Sequence, residues 1–226
     1  MILNILLGKL EDKVNRVGFN YNSRYKKSFI KILIDWILTI LVAVIISLFI
    51  ISNLVSITQV KEQSMEPTFK EDDRIIIYKL GYLFGEPARE DIVILNKINK
   101  EKGLVTNMIN ESKDIIDNIK YRFTNKIEKN NLLKRVIGVY GDIIDIQNGY
   151  IYVNGKLLEE KYSNGLTYAS PNLSYPVEVP KDNVFVLGDN REYSLDSRDL
   201  GFISIDQIKG KAIFRILPTS RFGKVN

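Results

Sequence analysis

The chain has 226 residues, 45% hydrophobic and 26% charged, the balance of a folded protein of one ordinary domain with a small extra piece. It contains neither cysteine nor histidine, which excludes disulfides, thiol nucleophiles, Ser-His-Asp triads and thiolate or HExxH metal sites. A base working at neutral pH must then be Lys, Asp, Glu or an unusual Tyr, and the missing thiols leave the compartment open.

The net charge of +5 is unevenly placed. Residues 1–55 carry seven Lys/Arg against Glu11, Asp12 and Asp35, a balance of +4, while the remainder carries 25 against 24. A nucleic-acid binder usually puts its excess on the folded domain. Here the excess lies beside an apolar run, so no nucleic-acid partner is expected and the asymmetry reads as topology.

Residues 1–29 form an expected cytoplasmic tail. Leu3, Leu6, Leu7, Leu10, Val14 and Val17 recur at helical spacing, which suits either a helix lying on the inner leaflet or a loosely ordered segment. Residues 30–56 are the expected transmembrane signal-anchor. No charge occurs from Trp36 to Val60, and 20 residues at ~1.5 Å each span ~30 Å, the thickness of a bilayer core. The run is too long and too far from Met1 for a cleaved signal peptide, and no small-x-small site follows it. The basic flank keeps the N-terminus inside and places residues 57–226 outside the cytoplasmic membrane, a single pass with the lipid bilayer as partner.

Beyond Val60, short β-branched runs are bounded by turn residues: Arg74–Tyr78, Asp91–Leu95, Arg135–Val139, Ile143–Ile146, Tyr150–Val153, Val184–Leu187 and Ala212–Leu217. They predict a mainly β fold, an antiparallel sheet assembly. Asn154-Gly155 between Tyr150 and Leu158 predicts a hairpin closed by a type I′ turn. One stretch departs from this. From about Leu104 to Lys129, Val105, Met108, Ile109, Ser112, Ile115, Ile116, Ile119, Phe123 and Ile127 recur at three- and four-residue steps, an amphipathic helix within an insert of about 97–130. Its apolar face either packs on the sheet or meets lipid or a partner.

Three polar segments stand out: Ser64-Met65-Glu66-Pro67-Thr68, Lys134-Arg135 through Gly138 to Gly141-Asp142, and Gly188-Asp189-Asn190-Arg191 through Ser194 to Asp196-Ser197-Arg198. Each alone reads as a turn or a solvated loop. Together, in order and in residue type, they resemble the boxes of type I signal peptidases with a single N-terminal anchor. These are membrane-bound Ser/Lys proteases that remove signal peptides from exported preproteins. The resemblance covers the anchor and nearly all of residues 57–218.

It implies Ser64 as nucleophile and Lys134 as general base, with no cofactor and no metal. Ser194 would hydrogen-bond the lysine amine, and an Asp196–Arg198 ion pair would fix the loop that carries it. A free lysine titrates near ~10.4, so a working pKa of ~8 needs ~3 kcal/mol of bias toward the neutral amine, which apolar burial can supply. Shallow apolar pockets for small residues, one and three positions before the scissile bond, are expected from Ile57, Val60 and Ile75 or Ile77. Without the register these cannot be sorted, because a one-residue slip reverses the faces. Preproteins and the secretion translocon are the implied partners. A Ser/Lys peptidase dedicated to pilin or conjugation precursors and a non-enzymatic anchored β module are the alternatives.

Three positions depart from the family pattern. Glu62 stands where relatives often have Ser or Gly, and an ionised carboxylate cannot donate to an oxyanion. Asp72-Asp73 and Glu90-Asp91 replace two Gly-Asp turns, which puts turn geometry in question.

Overall fold

The computed structural model describes residues 29–97, 103–124 and 131–225. The tail through residue 28 and the two ends of the insert, including the expected last turn of its helix, lie outside the described residues. The chain divides into two compact units, residues 1–47 and 48–226.

The first helix, α1, runs Phe29–Asn53, and the most apolar window in it has no buried residue within the protein. A helix of this length with no polar face is what the charge-free run dictates. Asn53 ends it.

The second unit holds the strands β1 Val55–Gln59, β2 Arg74–Tyr78, β3 Ile92–Asn96, β4 Asn131–Gly138, β5 Ile143–Gln147, β6 Tyr150–Val153, β7 Lys156–Leu157, β8 Val177–Glu178, β9 Asn183–Leu187, β10 Ile203–Ser204, β11 Ile208–Leu217 and β12 Gly223–Lys224. Three helices lie between them: α2 Gly81–Phe84, α3 Leu104–Thr124 and α4 Ser197–Leu200. The larger sheet has the order β1-β2-β11-β3-β4-β9-β10, with β12 on β11, and the smaller has the order β7-β6-β5-β8. Every strand pairing within them is antiparallel.

Burial follows the period of two. In β2, Ile75 and Ile77 are buried while Arg74 and Tyr78 are exposed. They pack with Val60, Met65, Phe69, Ile92, Ile94 and Ala212. All of β3 is buried: Val93 and Leu95 join a second core with Leu132, Val136, Val184, Val186 and Ile208. Phe185 and Leu187, alternating with those valines along β9, meet Ile144, Ile151 and Val153 of the smaller sheet. β9 therefore joins the two sheets.

The expected hairpin is present, with β6 paired to β7 and Asn154 and Gly155 at φ 54° and 74°, the two left-handed residues a type I′ turn requires. Asp72 and Glu90 also sit at positive φ, 69° and 70°. The two departures from Gly-Asp thus keep the glycine-like backbone and accept its strain.

Candidate active site

Ser64 lies in a tight 3-10 turn, Gln63–Met65, reached from β1 through residues 60–62. Met65 is fully buried and anchors the turn in the core, while Ser64 itself is buried to 4% exposure. Lys134 comes from β4, opposite Val93 of β3, and its residue exposure is 0%. Its Nζ donates to Ser64 Oγ across 2.7 Å.

Burial is the main force on Lys134, and it lowers the amine's pKa to about 8. Removing an ammonium from water favours the neutral form. Asp196, Glu62 and Asp189 pull weakly the other way, and Lys97 adds to the lowering. No carboxylate pairs with Lys134 among the described residues.

The last segment holds this pair in place. Asn190 N–H donates to the Ser64 carbonyl at 3.0 Å, and its side-chain amide donates to the Gln63 carbonyl at 3.1 Å. Gly188 leaves no space for a side chain: a Cβ there would lie 2.5 Å from the Ser64 carbonyl oxygen and 2.2 Å from Ser194 Oγ. Glycine is required by this close approach. Asp196 accepts from Arg198 Nε and Nη2, each at 2.9 Å, and from the Gly188 N–H at 3.0 Å. Arg198 also donates to the carbonyl of Arg191 at 2.6 Å, so the expected Asp196–Arg198 pair does brace the loop.

Ser194 departs from expectation. It is brought beside Gly188 and Ser64, but its buried Oγ makes no hydrogen bond, and the expected bond to the Lys134 amine is not formed. The amine is directed at Ser64 Oγ instead. A buried hydroxyl without a partner is costly, so this one is a reserve of hydrogen-bonding capacity within the site.

The register sorts the expected pocket residues. Thr58 and Ser56 face Ile75 and Ile77, whereas Ile57 faces Ile76. Val60 N–H bonds the Asp73 carbonyl, which continues the ladder and puts Val60 on the Ile75–Ile77 face. Those three pack with Met65. Ile57 points to the other face, is 63% exposed and borders a cavity beside α3.

Several supporting contacts had no legible signal. Arg135, beside the base, makes a bidentate pair with Asp189 at 2.9 and 2.8 Å, with both side chains 1% exposed. Thr68 also donates to Asp189, and Tyr162 lies 3.8 Å beneath the Arg135 guanidinium. Arg191 pairs with Glu160 and bonds Thr167. The segments containing Asp189 and Arg191 were visible, but their partners are far away in sequence.

A buried serine at hydrogen-bond distance from a lysine of lowered pKa, in a site built from an antiparallel sheet, defines a class: hydrolases with a Ser/Lys pair. Comparison with known proteins narrows the class. The family described as signal peptidase, peptidase S26, matches residues 33–217. A probable signal peptidase I-2 from Synechocystis sp. is 34% identical over 186 residues, covering 82% of this chain and 73% of that protein. Signal peptidase IB from Staphylococcus aureus strain Mu50 is 32% identical over 210 residues, covering 85% and 93%. A crystal structure of a signal peptidase I from Enterococcus faecalis V583 has a TM-score of 0.35 at 23% identity, covering 56% of this chain and 96% of that one. The chain belongs to the signal peptidase family, peptidase S26. Its activity is that of a type I signal peptidase, a serine endopeptidase acting on preproteins with signal peptides.

Proposed function

We propose that Ser64 and Lys134 carry out this hydrolysis at the outer face of the cytoplasmic membrane, on chains delivered by the secretion translocon. The observation that carries the assignment is the 2.7 Å approach of a fully buried lysine to Ser64 Oγ. Neutral Lys134 takes the serine proton as Oγ attacks the scissile carbonyl, and passes it to the leaving amine. An acyl-enzyme on Ser64 remains. Lys134 then takes a proton from water, hydroxide attacks the ester, and Ser64 leaves reprotonated.

The Ser64 backbone N–H serves the oxyanion, held by the grip of Asn190 on the neighbouring carbonyls. Glu62 adds no donor. Ser194 supplies the hydroxyl that steadies the lysine amine once it turns from Ser64. Edge strand β1 has β2 on one side only, which leaves backbone groups for an extended substrate. Val60, backed by the buried Ile75 and Ile77, is the apolar side chain offered to small substrate residues, and Ile57, on the opposite face, takes no part. Six basic residues before α1, with Lys31 in its first turn, against Glu11, Asp12 and Asp35, support an inside N-terminus.

The test is to incubate the detergent-solubilised full chain, and its Ser64→Ala variant, with a preprotein. The expected result is cleavage after small-x-small by the parent and none by the variant. Near-normal turnover by folded Ser64→Ala, or a cleavage profile indifferent to the first and third positions, would overturn the reading.

A further inference from the structure

The helix α3 is mounted with its polar side toward the protein. At ~100° per residue, Asn107, Glu111 and Asp114 fall on one side and Val105, Ile109 and Ile116 on the opposite side. The polar side makes the attachments. Asn107 donates to Asn53 at 3.2 Å, Glu111 pairs with Lys79 at 2.9 Å, and Asp114 pairs with Lys209 at 2.9 Å. Behind it lies a cavity of about 540 Å³ bordered by Lys79, Glu111, Asp114, Lys209 and Asn131, so the inward side is seated on ion pairs. The aliphatic side is turned out: Val105 is 69% exposed, Ile109 51% and Ile116 60%. A helix stabilised by water alone would be rotated the other way, with aliphatics inward and charges outward.

The occupant of the outward face follows from where α3 is fastened. The Asn53 amide donates to the Leu104 carbonyl at 3.2 Å, so the first turn of α3 touches the last residue of the apolar helix α1. Two turns later, Lys79 Nζ bonds both Glu111 and the Ile51 carbonyl, each at 2.9 Å. Residues 104 to 111 therefore stay beside residues 51–53, the end of the segment read as the membrane span. An amphipathic helix held at that level has acyl chains within reach of its apolar side.

We propose that the outer leaflet of the bilayer covers this face of α3, with Val105, Ile109 and Ile116 seated among lipid chains. The insert is then a second membrane contact, lying in the interface next to the anchor. Its inward ion pairs leave the apolar side free for lipid, and the domain is held at two points instead of one.

The inference rests on reading Phe29–Asn53 as a span, and the experiment separates the two claims. The chain has no cysteine, so Ile109→Cys, Lys113→Cys and Val42→Cys each give one site for an environment-sensitive fluorophore. Each labelled full-length protein is reconstituted in phosphatidylethanolamine–phosphatidylglycerol vesicles and exposed to a nitroxide on the lipid chain or to aqueous iodide. Lys113 is exposed beside the stripe and serves as the aqueous reference. The expected result is quenching at position 109 by the lipid nitroxide about threefold stronger than at 113 and close to that at 42, with the order reversed for iodide. Equal iodide access at 109 and 113, with 42 in lipid, overturns the inference and leaves the anchor standing. Iodide access at 42 overturns both. Shielding of 109 from both quenchers, with self-quenching that rises with protein-to-lipid ratio, assigns the face to a second copy of the chain and also overturns it.

Discussion

Among the described residues of the second unit, two lysines are buried, Lys79 and Lys134, and their surroundings differ. Lys79 is 7% exposed and its ammonium is held by two acceptors, the Glu111 carboxylate and the Ile51 carbonyl, each 2.9 Å away. Lys134 is 0% exposed, has no paired carboxylate among the described residues, and meets the hydroxyl of Ser64. Burial with a countercharge makes a strut. Burial without one makes an amine that gives up its proton near pH 8. At Lys134 burial outweighs the nearby carboxylates, none of which pairs with it among the described residues.

The comparison breaks most sharply at Lys134. Lys134→Arg keeps a cation but cannot shed it, and kcat/KM on a signal-peptide substrate should fall at least ~10³-fold. The parent's rate should rise about tenfold per pH unit below its midpoint, then level off above about 8 as the neutral amine becomes the main form. A flat profile from pH 6 to 9 with chemistry limiting would refute the lysine base. Lys79→Met tests the strut. It leaves Glu111, whose side chain is 22% exposed, without its cation, and should cost ~1–2 kcal/mol in urea unfolding. Turnover of a short soluble peptide should stay within about twofold.

A smaller effect is expected at Glu62, whose carboxylate favours the charged form of Lys134. Glu62→Gln should move the midpoint of the pH–rate profile downward by roughly 0.2–0.5; an upward move would contradict the assigned sign. The smallest concerns the frame beside the base. Glu90 bonds Val136 and Arg135 through its backbone while at φ 70°. Glu90→Gly relieves that strain and should raise stability by ~0.5–1 kcal/mol with kcat unchanged.

Local patterns were legible because local physics sets them. The runs at Arg74–Tyr78 and Tyr150–Val153 coincide with β2 and β6, and the Asn154-Gly155 turn formed as its φ angles require. The apolar run of α1 and the helical period of α3 were equally plain. The three polar segments did converge, since Ser64, Lys134 and the 188–198 loop are in contact.

What escaped was long-range. Alternation showed that β1 and β2 each have two faces, but only the pairing of Thr58 with Ile75 separates Ile57 from Val60. The partners of Arg135 and Arg191 are 54 and 31 residues away, too far for any spacing rule. Helical periodicity located the apolar side of α3 but could not reveal that it faces outward, because ion pairs decide that. The free Ser194 hydroxyl was also beyond sequence reading, since it depends on where one amine points.

The strand order has a consequence in time. β11 comes late in the chain yet lies between β2 and β3 in the larger sheet. The β1–β2 ribbon that leads to Ser64 and the β3–β4 ribbon that bears Lys134 are therefore joined only through β11. Until β11 is made, the edges of β2 and β3 that it covers have no partner strand. The grip of Asn190 on Gln63 and Ser64 also arrives only with the later part of the chain. A chain that stops short of β11 therefore carries Ser64 and Lys134 without the strand that links their two ribbons.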